Sequence, residues 1–245
     1  MNLKKITKKG KALFLAYDQG LEHGPSDFND KNVNPSYILE IAKKGGYNAV
    51  ILQKGIAEKY KEEIKVPLIL KLNGKTNLVK GEPISLQLCS VEEAIKLGAD
   101  AVGYTIYLGS KHEPIMMKEF AKIEKEAHSK GIPVIAWIYP RGESIKGKSS
   151  SELMAYCART GLELGADIIK IKYNGHQKDL AWAVKSAGKT KVVIAGGVKK
   201  SEEVLLKQVK EIMQAGCIGL AIGRNIWQHK DPIKITEKIK KIIWK

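Results

Sequence analysis

Four times along this chain a helix-patterned stretch closes on glycine and passes at once into an apolar run: KKGGYNAV (43–50), KLGADAV (96–102), ELGADII (163–169) and QAGCIGL (214–220). Glycine just past a helix end supplies the left-handed turn that sends the backbone back into a sheet. An apolar run without strict alternation is what a parallel strand buried on both faces requires. The whole chain reads this way, with β-type runs at 12–17, 47–53, 67–72, 100–104, 133–139, 167–172, 191–195 and 217–222, each followed by a helical pattern. Eight such units in 245 residues predict an α/β protein, a single closed (β/α)8 (TIM-type) barrel domain over residues 1–245 rather than an open doubly wound sheet. Two connections are longer than the rest. The stretch 18–34, containing GLEHGPSDFND, is too long for a simple connector and is expected over the mouth of the barrel; Asn73–Ser90 is expected to form a small excursion after the third strand.

Several function classes recede on composition. No stretch reaches the 18 apolar residues of a membrane span, and the first apolar run ends at Tyr17 and meets Asp18, Gln19 and Gly20 instead of a small-residue cleavage site. A cytoplasmic protein without a membrane partner is expected. Cys89, Cys157 and Cys217 are odd in number and far apart, so no disulfide framework is indicated. The histidines at 23, 112, 128, 176 and 229 lack metal-ligand spacing, which disfavours a metal. A formal charge of +16 invites a nucleic-acid reading, but the lysines are spread over expected outer helices such as 58–65, 118–130 and 234–245. A solvated surface, no nucleic-acid partner, and a positive field that draws in anionic sugar phosphates are expected instead.

In such a barrel the chemistry sits at the C-terminal ends of the strands. The polar residues there are Asp18; Lys71 and Asn73; Tyr139 and Arg141; Lys170 and Lys172; Gly196 and Gly197; and Gly223, Arg224 and Asn225. Glycines directly after the seventh and eighth strands let a backbone approach an anion without a Cβ in the way, the usual phosphate position of the fold. In DIIKIKY, Ile168, Lys170 and Lys172 share one face and the two intervening isoleucines the other, so two lysines are expected to point into the barrel. A lysine in a dry site beside another cation is held as a neutral amine, the form that attacks a carbonyl. The alternative is that Lys170 pairs with an acid such as Asp18. Trp137 and Tyr139 share one parity on strand five, next to strand six, where a phenol could move the α-proton of an imine. Asp18 is placed to exchange a proton with a substrate hydroxyl, or simply to cap a helix.

The segments LAYDQGLEHGP, LKLNGKTNL, CSVEEAIKLGADAVGYTIYLGS, AWIYPRG, LGADIIKIKYNG and LLKQVKEIMQAGCIGLAIGRNIWQ carry a resemblance to the archaeal-type class I fructose-bisphosphate aldolases over nearly the whole chain. That resemblance implies reversible cleavage of fructose 1,6-bisphosphate to dihydroxyacetone phosphate and glyceraldehyde 3-phosphate. It implies Lys170, three residues past the GAD element, as the Schiff-base lysine, Tyr139 of WxYPRG as the proton-transfer residue with Trp137 lining the pocket, and Asp18 as the acidic partner. One phosphate is expected on Gly196, Gly197, Gly223 and Arg224, and Arg141 is the candidate for the other. No cofactor is implied, because the protonated imine is itself the electron sink. A homo-oligomer is implied as well, with Trp227, Trp244 and the segment 226–244 as exposed candidates for its interface. Gln19 and Ala195 depart from the histidine and serine frequent in the family, and are expected to tune hydrogen bonding at Asp18 and at the phosphate. The aminodideoxyheptulosonate synthases share the barrel, lysine and tyrosine, but AWIYPRG and KIKYNG resemble the aldolase motifs more closely. A sugar-phosphate-binding barrel without carbonyl chemistry is the non-enzymatic alternative, one that has no use for an inward lysine and tyrosine.

Overall fold

A computed structural model describes all 245 residues. Eight strands, β1 Ala12–Ala16, β2 Ala49–Gln53, β3 Leu68–Lys71, β4 Ala101–Leu108, β5 Val134–Pro140, β6 Ile168–Ile171, β7 Lys191–Ala195 and β8 Gly219–Ile222, form the sheet. Each is followed by a helix: α1 Pro35–Lys44, α2 Lys54–Lys59, α3 Val91–Lys96, α4 Glu113–Ser129, α5 Ser150–Glu163, α6 Gln177–Ser186, α7 Glu202–Gln214 and α8 Pro232–Ile243. All strand pairs are parallel, and β1 bonds to both β2 and β8, so the sheet closes on itself. The expected (β/α)8 barrel is what the chain forms.

Alternation along each strand sorts the core into two parts. Leu13, Leu15, Val50, Leu52, Leu70, Ile169 and Ile171 face outward and pack beneath the helices. Phe14, Ile51, Ile69, Ile135, Trp137, Ile168 and Val193 face inward, with Ile6 of the N-terminal segment joining them. Many inward positions are alanine or glycine because the bore of an eight-stranded barrel holds only a few large side chains. Gly103 shows the constraint most directly: a Cβ there would fall 1.7 Å from the Trp137 ring.

Several boundaries differ from those expected. Strand β4 runs four residues beyond 104, because Thr105, Ile106, Tyr107 and Leu108 are all buried and pair in register with β5 as far as Leu108 opposite Pro140. The expected helix 58–65 is displaced: α2 ends at Lys59 and a separate turn covers Lys61–Glu63 before Pro67 leads into β3. Trp227 is no surface residue. Its indole Nε1 donates to the Ala16 carbonyl at 3.1 Å, and its ring meets Tyr17 and Phe28. Trp244 is half-buried, donating through Nε1 to the Lys8 carbonyl. All three cysteines are free and buried. No helix is long and apolar enough to cross a membrane.

The two long connections take the places expected of them. Residues 18–34 carry a short helix, Gly20–His23, and a turn, Gly24–Asp27, and their side chains wall the open end of the bore. The excursion after β3 pairs Asn73–Gly74 with Leu86–Gln87. Fully buried Asn73 anchors it: its Nδ2 donates to the carbonyls of Ser85 and Thr105, and its Oδ1 accepts from the Thr105 N–H at 2.8 Å.

Candidate active site

One pocket at the C-terminal end of the barrel gathers Asp18, Trp137, Tyr139, Arg141, Lys170, Gly196, Gly197, Gly223 and Arg224, every site residue expected from the sequence. It also takes in Glu22, Gln53, Lys71, Tyr107 and Lys172. Of these, Lys71 matters most. It ends β3 with the same parity as inward-facing Ile69, a signal present in the sequence, yet nothing there says which acid it meets.

At the bottom of the pocket lie three charged groups and an indole. Lys71 Nζ stands 3.6 Å from Asp18 Oδ2, both side chains about nine-tenths buried. The Lys170 ammonium makes no ion pair, and its Nζ sits 4.9 Å from the centre of the Trp137 ring, with Lys71 Nζ at 5.6 Å from the same ring. Trp137 and Lys170 are direct register partners across β5 and β6, so this spacing is set by two strands rather than by loops. The alternative in which Lys170 is the partner of Asp18 therefore does not hold; Lys71 fills that role.

Burial is the largest influence on Lys170 and lowers its pKa to about 8, aided by the nearby Lys71 charge and opposed by Asp18. Asp18 is pushed up by burial, but Lys170 and Lys71 together outweigh this and hold its carboxyl below the usual carboxylate range. Tyr139 is driven well above the ordinary phenol value by burial and then by the carboxylates of Asp18 and Glu22, so it carries its proton at neutral pH. The site thus offers a lysine amine near its titration point, a charged carboxylate and a protonated phenol. Trp137 Nε1 and Gln19 Nε2 add two buried donors with no protein acceptor.

Around the rim the pocket is cationic. The Arg141 guanidinium is held at 2.5 Å by Glu22 Oε1 and lies 5.1 Å over the Tyr107 ring. Lys172 Nζ lies 5.5 Å over the ring of Tyr139, and its pKa is lowered by burial and then by the Arg141 charge. Arg224 opens the short helix Arg224–Trp227 after β8 and is held 3.3 Å from Asp27 Oδ1.

The glycines of this rim divide into two kinds. Gly197 adopts φ +70°, a conformation that suits glycine, and the N–H groups of Gly197 and Gly223 have no protein acceptor. Gly196 is different from the sequence expectation. Its N–H already donates to the Ala221 carbonyl at 3.0 Å, continuing the β7–β8 ladder, so it has no donor to offer an anion. It is glycine for space, since a Cβ would fall 2.7 Å from Ile222. Asn225 braces the loop by donating to the carbonyls of Gly196 and Val198 and accepting from the Lys200 N–H.

Comparison with known proteins bears on this geometry. Residues 12–229 match the DeoC/LacD family of aldolases. The class 1 fructose-bisphosphate aldolase of Thermoproteus tenax is 49% identical over 245 residues, covering 99% of this chain and 93% of that one. The crystal structure of an archaeal fructose 1,6-bisphosphate aldolase superposes with a TM-score of 0.95 at 49% identity, covering 99% of this chain and 97% of that one. An archaeal fructose-1,6-bisphosphate aldolase whose catalytic lysine is covalently bound to the carbinolamine intermediate superposes with a TM-score of 0.95 at 48% identity, covering 99% and 98%.

Proposed function

The chain belongs to the DeoC/LacD aldolase family and is a class I, Schiff-base-forming fructose-1,6-bisphosphate aldolase, a lyase; from that premise we propose how its residues divide the reaction. Lys170 Nζ attacks the C2 carbonyl carbon of the open-chain sugar, the former carbonyl oxygen leaves as water after proton transfer, and a protonated imine remains. Asp18 accepts the proton of the C4 hydroxyl as the C3–C4 bond breaks. The electron pair of that bond moves into the iminium to give an enamine, and glyceraldehyde 3-phosphate departs. Tyr139 then donates its proton to C3 of the enamine, water hydrolyses the imine to release dihydroxyacetone phosphate and the free amine, and the proton taken up by Asp18 returns to the Tyr139 phenolate through solvent, restoring the starting state.

The observation that carries this reading is the state of Lys170. It is a buried lysine on a rigid strand, free of any ion pair, with its pKa brought down to about 8, beside a carboxylate already committed to a different lysine. The protonated state of Tyr139 suits a proton donor. The free N–H groups of Gly197 and Gly223 with Arg224 are the proposed seat of one phosphate, and Arg141 faces the other; Trp137 forms the wall behind the imine. The relative whose catalytic lysine holds the carbinolamine supports the covalent step. A cytoplasmic setting, which three free and buried cysteines suit, and the homo-oligomer implied by the sequence resemblance complete the proposal.

Replacing Lys170 with alanine is expected to abolish cleavage while the far-ultraviolet circular dichroism stays that of the folded barrel. Tyr139→Phe is expected to form the imine but turn over on the order of 10²–10⁴-fold more slowly, the usual contribution of a positioned proton donor. Ordinary turnover in the first variant would end the assignment of Lys170, and in the second that of Tyr139.

A further inference from the structure

Five buried side-chain atoms, Gln19 Nε2, Asn32 Nδ2, Ser85 Oγ, Thr105 Oγ1 and Trp137 Nε1, have no hydrogen-bond partner in the protein, and all but that of Asn32 belong to residues lining the active-site pocket. An unpaired buried donor or acceptor is costly, so a concentration of them around one cavity marks where a ligand supplies the missing bonds. The chemistry proposed above gives no task to Thr105. Resting on the reading of Lys170 as the Schiff-base lysine, we infer that the Thr105 hydroxyl binds the C3 hydroxyl of the substrate, the free alcohol of dihydroxyacetone phosphate, and so selects this ketone over the analogue that lacks it.

Thr105 is only 2% exposed and lies in the middle of β4, with the inward parity of Ala101 and Gly103. A threonine hydroxyl often turns back onto nearby backbone groups. Here those groups are already served: the Thr105 N–H donates to Asn73 Oδ1 at 2.8 Å, and the Thr105 carbonyl accepts from Asn73 Nδ2 at 2.9 Å. The hydroxyl is therefore left to the pocket. Ser85, whose carbonyl accepts from the same Asn73 Nδ2, brings a second unpaired hydroxyl to this side of the cavity. Neutral hydroxyls suit a neutral partner that both donates and accepts, which is what an alcohol does. The phosphates have their cations and free N–H groups elsewhere on the rim.

Register decides which alcohol this is. Thr105 is the partner of Trp137 on β5, and Trp137 is the partner of Lys170 on β6, so the Thr105 side chain stands level with the imine carbon. Around the closed barrel β4 lies across the bore from β8, four strands away in either direction. A ketone with its phosphate at the ends of β7 and β8 and its C2 bound to Lys170 on β6 directs C3 toward β5 and β4. Tyr139, the proton donor to C3, is on β5, and its register partner Tyr107 follows Thr105 by two residues on β4. Asp18, after β1, is taken up with the C4 hydroxyl. The alcohol within reach of β4 is the one on C3.

The test compares two ketones on the full-length protein: dihydroxyacetone phosphate and hydroxyacetone phosphate, which lacks only the C3 hydroxyl. Each is trapped by borohydride, and the rate is followed against ketone concentration. The native protein is expected to trap dihydroxyacetone phosphate more efficiently. In Thr105→Val, which keeps the shape and removes the hydroxyl, that efficiency should fall about tenfold or more, to the level of hydroxyacetone phosphate, whose own trapping stays unchanged. Thr105→Ser should restore the preference. The Tm of Thr105→Val should not fall, because the hydroxyl it loses bonds to nothing in the protein. Should the valine variant fail to fold, Thr105→Ala is measured in its place with the same expectation for the two ketones. Equal losses with both ketones would overturn the inference and make Thr105 a packing residue, and an unchanged efficiency with dihydroxyacetone phosphate would overturn it too. Peptide mapping of the native adduct separates these failures from another: an adduct on a residue other than Lys170 overturns the reading on which the inference rests.

Discussion

Substituting alanine for Gly103 asks whether the barrel is built around Trp137. A Cβ at this position would stand 1.7 Å from Cζ3 and 1.9 Å from Cη2 of the indole. Ordinary carbon–carbon contact is about 3.5–4.0 Å, so one partner must move on the order of 2 Å. Neither has a simple escape. Trp137 is fully buried, and β4 and β5 are locked by parallel pairing from Val102 opposite Val134 to Leu108 opposite Pro140. Overpacking of a rigid core costs about 1–3 kcal/mol, and a conflict with a ring at this distance belongs at the top of that range. For a chain of this size, about 2–4 °C per kcal/mol converts this into a fall in Tm of roughly 6–12 °C. Turnover should fall with it, because the ring that moves is the one against Lys170 and Lys71. A double-mutant cycle with Trp137→Phe isolates the cause, since phenylalanine lacks the two offending atoms. The double variant should be more stable than the sum of the single losses predicts, with a coupling of about 1–2 kcal/mol. Thermal unfolding of the four proteins measures it. A Tm unchanged by Gly103→Ala, or strictly additive losses, would refute the reasoning.

Two further outcomes follow from the site. Lys170 has a folded-state pKa near 8 against an ordinary value near 10.4, so the unfolded chain binds the extra proton between those values and stability rises with pH across that window. Below pH 8 the penalty of the buried charge is fully present; Lys170→Met should therefore raise stability at pH 7 by about 3 kcal/mol, with the gain fading toward pH 10.5, as urea unfolding at the two pH values would reveal. No gain at pH 7 would mean the ammonium is better solvated or paired than its surroundings indicate. Asn73→Ala strands the buried Thr105 N–H and two carbonyls, and should cost about 2–4 kcal/mol in urea unfolding while loosening the excursion 73–90 to proteolysis; a change under about 1 kcal/mol would contradict its anchoring role.

Much of this molecule is legible in its sequence because a buried parallel strand must be apolar on both faces. Hence β7 appears as KVVIA with its observed bounds, and Ile168 and Lys170 separate from Ile169 and Ile171 by alternation alone. The same logic brings Trp137, Tyr139 and Lys170 to one pocket. It fails where polarity and burial part company. Thr105 and Tyr107 look like the end of a strand, yet β4 continues through them, because their side chains face the pocket and the Thr105 backbone N–H is satisfied by Asn73. Trp227 reads as a surface aromatic until the Ala16 carbonyl, 211 residues away in the chain, is found to accept from its indole. Gly196 reads as a phosphate donor until the β7–β8 ladder claims its N–H. The pairing of Asp18 with Lys71 belongs to this group as well. Sequence parity turns both lysines of β3 and β6 inward, but which one meets the carboxylate depends on distances across a closed barrel.

The central claim, that Lys170 is the nucleophile, is tested most directly by mass spectrometry of the protein treated with borohydride in the presence and absence of dihydroxyacetone phosphate. The account predicts a single reduced adduct that appears only with the ketone and maps by peptide sequencing to Lys170 in the segment DIIKIK. An adduct on Lys71 or Lys172, or none while binding of the ketone is independently demonstrated, would contradict it.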